Sequence, residues 1–148
     1  RGVRPEIPIT GQRHSIKALG CIEIYRTQFD YQFAETFNAE SYLKFLQKIK
    51  RVYDGQRVHY IQDNAPYHKD KDVWRWFADN RDWIEVHNLP PYSPELNAAE
   101  PLWKFTRRSG THNRYFETKE ALAETVTSVF KSMQRHPKQI QGYIQPFL

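Results

Sequence analysis

The segment "HYIQDNAPYHKD", His59–Asp70, begins as an apolar, sheet-favouring run and changes character at Asp63, with Asn64, Pro66 and His68 close behind. Asn, Asp and Pro terminate strands because their backbones favour turns. Asp63 therefore has a plain reading as a turn residue. Its second reading is a carboxylate held at the rim of a sheet, where a metal ion or a substrate reaches it.

Outward from this segment the hydrophobic pattern switches between two periods. "SIKALGCIEIY", Ser15–Tyr25, is an Ile-rich strand. "TQFDYQFAE", Thr27–Glu35, puts Thr27, Phe29, Tyr31 and Phe33 on one face and Gln28, Asp30 and Gln32 on the other. The two form an antiparallel hairpin turning near Tyr25 and Arg26. Asn38 is a candidate N-cap for a helix carrying Tyr42, Leu43, Leu46, Ile49 and Tyr53 at helical spacing, with Gly55 as its stop. Arg57–Gln62 is a short strand ending at Asp63. Val73, Trp74 and Phe77 mark a second helix from about Asp70 to Asn80. Trp83–Asn88 is the next strand. "LPPYSPELN" follows as a rigid Pro-rich loop, with Tyr92 expected to pack beneath it. A third helix is expected from about Ala98 to Arg108, and a last clear one over Lys119–Met133.

The order β-β-α-β-α-β-α-α, without internal repeats, implies one α/β domain over residues 1–148, a mixed sheet covered by helices. In such sheets ligands bind beyond the carboxyl ends of parallel strands. Asp63 sits at one such end, and the strand Trp83–Asn88 delivers its loop to the same rim. Asn97 can cap the third helix with Glu100 at the third position, and Asn-x-x-Glu is a capping pattern. Beside that capping reading stands a chemical one. Two acids at one rim of a basic protein suit Mg²⁺ or Mn²⁺, which prefer carboxylate oxygen. Two such ions activate an attacking oxygen and stabilise a leaving one on a phosphodiester.

Composition agrees with a polyanionic partner. Lys and Arg total 22 against 17 Asp and Glu, giving a net charge of +5, and nucleic acid is the usual partner of such a balance. Cys21 is the only cysteine, which excludes an internal disulfide and a cysteine-rich zinc site and suits a reducing interior. No apolar run reaches the ~18 residues of a membrane span. The opening "RGVRPEIPITGQRH" lacks the apolar core of a signal peptide, and Arg1 reads as a cut inside a longer protein.

"IQDNAPYHKD" and "LPPYSPELNAAEPLW", in this order with a helix and a strand between them, resemble the catalytic domain of DDE-superfamily transposases, specifically the mariner-like group and its bacterial insertion-sequence relatives. The likeness covers nearly the whole chain. It implies an RNase H-like fold and three acids holding Mg²⁺ or Mn²⁺. It also implies hydrolysis at transposon ends and attack of the freed 3′-hydroxyl on target DNA. A homo-oligomeric active complex and a cytoplasmic, nucleoid-associated setting go with it. Asp63 matches the family's second acid and Glu100 its third. Asn64 and His68 match the same motif, as candidates to orient Asp63 or contact DNA, beside turn-forming and loop-bonding readings. Lys104, Arg107 and Arg108, on the helix leading from Glu100, are candidate phosphate contacts or a solvated face. The family loop reads Asn-Pro-Ile-Glu, whereas here it is Asn97-Ala98-Ala99-Glu100. The family's first Asp lies on a strand expected upstream of Arg1, so the chain is expected to be a catalytic domain lacking its first strand and its DNA-binding region. Asp30 and Asp54 are weak substitutes. Two rival readings remain: an inactive DNA- or partner-binding remnant, and an RNase H-like nuclease without strand transfer. His87 and Cys21 carry no assignable role.

Overall fold

The computed structural model describes residues 13–148. Its elements in chain order are β1 (Lys17–Glu23), β2 (Gln28–Ala34), α1 (Ala39–Val52), β3 (Val58–Gln62), α2 (Lys71–Asp79), β4 (Ile84–Asn88), α3 (Glu100–Thr106), α4 (Lys119–Arg135) and α5 (Lys138–Ile144). Short 3-10 turns at Pro66–Lys69 and Pro94–Leu96 follow the two strands β3 and β4. The expected α/β order stands, with α5 as an addition. Its apolar residues, Ile140 and Ile144, are too few to stand out as a period in sequence.

Local chemistry sets the boundaries. Asn38 accepts from the Ser41 backbone N–H at 2.9 Å while the Ser41 hydroxyl accepts from the Asn38 N–H at 3.1 Å, a reciprocal cap that starts α1. Asp70 caps α2 by accepting from the Asp72 N–H at 2.8 Å, and Thr118 caps α4 through the Ala121 N–H at 3.0 Å. Glu23 closes the β1–β2 turn by accepting from the N–H groups of Tyr25 and Arg26 at 3.0 and 2.8 Å. The third helix departs from expectation. It is α-helical only from Glu100 to Thr106 and then widens into a π turn over Arg107–Thr111, closed by the His112 N–H to the Arg107 carbonyl at 2.7 Å.

The strands form two separate ladders among the described residues. β1 pairs antiparallel with β2, Cys21 opposite Asp30, and β3 pairs parallel with β4, His59 opposite Glu85. Each of the four strands therefore has one laddered side among the described residues. One apolar cluster still spans both pairs. Leu19 of β1, Ile84 of β4, Tyr42, Phe45, Leu46 and Ile49 of α1, and Val73 and Phe77 of α2 share it. A second cluster covers the opposite face of β1–β2, where Phe29 meets Leu102 of α3 and Phe130 and Met133 of α4. So β1–β2 is covered on both faces. β3–β4 is covered by α1 and α2 on one face, while His59, Ile61, Glu85 and His87 on the other are exposed.

Gly20 lets α3 reach the sheet. A Cβ there would lie 2.6 Å from the Trp103 ring and 3.2 Å from Phe29. Trp103 is itself wedged edge-on against Phe29 and Phe130 at 6.1 Å between centroids in each case. Gly20→Ala is expected to lower stability by ~1–3 kcal/mol through overpacking. Urea unfolding checks it, and an unchanged midpoint would show that Trp103 has room to move.

Candidate active site

Asp63 follows the last residue of β3, at the carboxyl end of the parallel pair. Its Oδ1 accepts from the Ala65 N–H at 3.1 Å, and His68 Nδ1 lies 3.1 Å from the same oxygen and 2.8 Å from the Asp63 carbonyl. Every one of these contacts uses Oδ1 or the backbone, Oδ2 has no hydrogen bond among the described residues, and the side chain is 55% exposed. His68 is buried, its ring 4.4 Å from that of Tyr42 and 4.6 Å from that of Tyr67. The hydrogen bond from His68 is the main influence on Asp63 and holds its carboxyl below the usual carboxylate range; partial burial opposes it, and the Ala65 N–H assists. The sign follows from linkage. A depressed folded-state pKa favours the fold above the unfolded carboxylate range, and that contribution disappears as pH falls through the folded value. His68→Phe, which keeps the ring packing and removes the donor, is expected to raise the Asp63 pKa. Carbon-detected NMR titration of Asp63 measures this, and an unmoved midpoint would remove His68 as the cause.

Beneath the rim runs a polar chain that composition and periodicity do not reveal. Tyr42 of α1, which reads in sequence as an apolar helix position, donates its hydroxyl to Gln62 Oε1, and Gln62 Nε2 donates to Asn88 Oδ1 at 2.8 Å. Gln62 and Asn88 end β3 and β4, so this chain locks the two strand ends in register. Burial pushes the Tyr42 phenol up, keeping it a donor at ordinary pH. Asn64 adds a further tie, donating Nδ2 to the Leu89 carbonyl at 2.7 Å. Asn64 thus joins the loop after β3 to the loop after β4. His68 likewise bonds its own loop.

Glu100 is the first residue of α3, on the chain that leaves β4 through the Pro-rich loop. The capping reading does not hold. Asn97 Oδ1 accepts from the Ala99 N–H at 3.0 Å, and the Asn97 N–H goes to the Pro94 carbonyl at 3.0 Å. The Glu100 side chain is half-buried and makes no hydrogen bond or ion pair with the described residues. Asp63 and Glu100 share no bridging residue there either. Tyr92 corrects another expectation: it is fully exposed with φ 56°, at the tip of the loop rather than under it.

The alternative acids lie elsewhere. Asp30 is buried under α1, accepting from the Tyr53 hydroxyl at 3.0 Å and from Gln28 Nε2 at 3.3 Å. Tyr53 stands at the C-terminal end of α1, whereas Tyr42, beside His68, stands near its start. Eleven residues of helix separate them by roughly 16 Å, which places Asp30 far from the Asp63 rim. Asp54 sits past the same distal end.

Lys104, Arg107 and Arg108 are exposed along α3 and the π turn and form no ion pair among the described residues. The other basic run, on α1, is partly occupied. Lys48 donates to the Tyr31 carbonyl, Lys50 donates to Asn80 Oδ1 at 2.7 Å, and Lys44 pairs with Glu40 at 3.3 Å.

Residues 1–123 match the family described as DDE superfamily endonuclease. The chain is 35% identical over 54 residues to the transposable element Tcb2 transposase of Caenorhabditis briggsae, covering 36% of this chain and 19% of that protein. It is 29% identical over 106 residues to the uncharacterized protein y4pE/y4sA of Sinorhizobium fredii, covering 71% of this chain and 75% of that one. The fold resembles the Mos1 transposase chain in its paired-end complex with the left transposon end, at a TM-score of 0.67 and 19% identity over 98% of this chain and 48% of that one. The Mos1 catalytic domain solved with raltegravir and Mg matches at a TM-score of 0.57 and 17% identity, over 88% of this chain and 78% of that one. The chain thus spans about a fifth of the Tcb2 transposase and about half of the Mos1 chain. It belongs to the DDE superfamily endonuclease family, with the RNase H-like fold of a mariner-type transposase catalytic domain.

Proposed function

We propose that this chain is the catalytic domain of a DNA transposase, carrying out metal-dependent phosphodiester hydrolysis at transposon ends and strand transfer into target DNA. The observation that carries the reading is Asp63. It is a carboxylate held in its ionised form at the carboxyl rim of a parallel strand pair, pinned through Oδ1 and 55% exposed. Glu100 at the start of α3, whose side chain has no hydrogen bond or ion pair among the described residues, supplies the second carboxylate. The donor set fits Mg²⁺ or Mn²⁺, since both groups offer hard oxygen and neither pairs with Lys or Arg among the described residues. When bound, such ions lower the pKa of an attacking water or hydroxyl and stabilise the leaving oxygen. The chain's own task is positional: His68 and Ala65 hold Asp63 in one orientation, while Tyr42, Gln62 and Asn88 keep the two strand ends aligned.

A third carboxylate belongs to the proposal. We infer that it lies on a strand upstream of Arg1 that pairs with the open side of β1. The Mos1 complex holds a transposon end, which supports transposon DNA as the partner here, in an oligomeric active complex. Lys104, Arg107 and Arg108 are the proposed phosphate contacts.

The test is a cleavage and joining assay with the whole protein, its own element ends and Mn²⁺. Nicking with joining to target DNA is expected. Nicking without joining makes the protein a nuclease, and DNA binding with neither makes it a binding remnant.

A further inference from the structure

We propose that His59, Glu85 and His87 form a second metal site, distinct from the Asp63 rim, that takes a divalent transition ion of the zinc class. The strand pattern builds it. In β3 and β4 alternate side chains point away from α1 and α2, and the parallel register sets His59 opposite Glu85, with His87 two positions further along β4. Their ligand atoms converge. His59 Nδ1 lies 3.1 Å from His87 Nε2 and 3.7 Å from Glu85 Oε2, and His87 Nε2 lies 3.6 Å from Glu85 Oε1. An ion bound tetrahedrally at the usual ~2.0–2.1 Å sets its ligands about 3.3–3.4 Å apart. The three separations bracket that edge, so a bound ion requires only side-chain adjustment.

The donor set also selects the ion. Two imidazole nitrogens and one carboxylate suit Zn²⁺, Co²⁺, Ni²⁺ or Cu²⁺, whereas Mg²⁺ and Mn²⁺ favour an all-oxygen shell. The three side chains are 45% to 63% exposed, so an ion enters freely and water fills its remaining positions. Arg57, 4.0 Å from Glu85, competes for the carboxylate and moderates the affinity. The competing account is a polar cross-strand cluster: two histidines bonded to each other beside a carboxylate, worth ~0.2–1 kcal/mol per pair. His87 lies one residue before the Asn88–Gln62 tie, so an ion here would brace the strand ends that carry the Asp63 loop.

The experiment uses the chain in excess Mg²⁺, titrated with Zn²⁺ by calorimetry and with Co²⁺ by visible absorption. One ion per chain is expected, with the intense d–d bands of low-coordinate Co²⁺. His59→Ala and His87→Ala should each weaken binding roughly tenfold or more. His136→Ala, an exposed histidine elsewhere, and Asp63→Asn should leave it unchanged. Circular dichroism of each variant confirms that the fold persists. Absence of stoichiometric Zn²⁺ binding would overturn the site. So would binding that survives both histidine changes, or that disappears with Asp63→Asn.

Discussion

Asp63→Asn and Glu100→Gln should each reduce DNA cleavage by the whole protein by on the order of 10²–10³-fold, the scale of removing one electrostatic stabiliser from an active site, while DNA binding survives. Asn keeps the shape of Asp63, and its amide oxygen can still accept from the Ala65 N–H and His68. What it loses is the negative charge. The Glu100 side chain has no hydrogen-bond partner among the described residues, so Gln removes nothing that holds the fold. A loss of cleavage with normal unfolding therefore reports metal binding and not folding. Steady-state nicking in Mn²⁺, beside a gel-shift measurement of binding, separates the two. Wild-type-like nicking by Glu100→Gln would reduce Glu100 to a helix-entry residue. The same result for Asp63→Asn would remove the site altogether.

Replacing Lys104, Arg107 and Arg108 together by Ala should weaken duplex binding by roughly two orders of magnitude at low salt and flatten its salt dependence. Each phosphate contact releases counterions and contributes about 0.9 to the slope of log affinity against log salt, so losing three contacts lowers the slope by about 2.7. The warrant is their exposure and lack of ion pairs on the helix that begins at Glu100. Lys50 serves as the control. Its ammonium is already held by Asn80, so Lys50→Ala should affect stability and leave the slope nearly unchanged. Equal slopes for the triple variant and wild type would make the cluster a solvated face.

The sequence by itself determined the order of the main elements, because two periods alternate clearly and Asn38 marks the start of α1, whereas the caps at Asp70 and Thr118 emerged with the structure. It also set Asp63 at a strand end and Glu100 near a helix entry, since a strand-ending Asp and an acid at a helix entry are local signals. Tertiary structure decided everything that depends on which faces meet. Asp30 reads as a polar-face residue of a hairpin and becomes a buried acceptor for Tyr53 only once α1 lies on the sheet. Tyr42 reads as an apolar position, yet its hydroxyl reaches Gln62 across twenty residues. The α3 boundary shifted because a π turn lets Gly110 sit 3.0 Å, by its would-be Cβ, from Val129 of α4, a contact invisible to helical periodicity. His59 and His87 lie twenty-eight residues apart and match no ligand spacing. Only the parallel register of β3 on β4, fixed by burial of their opposite faces, brings those two rings together.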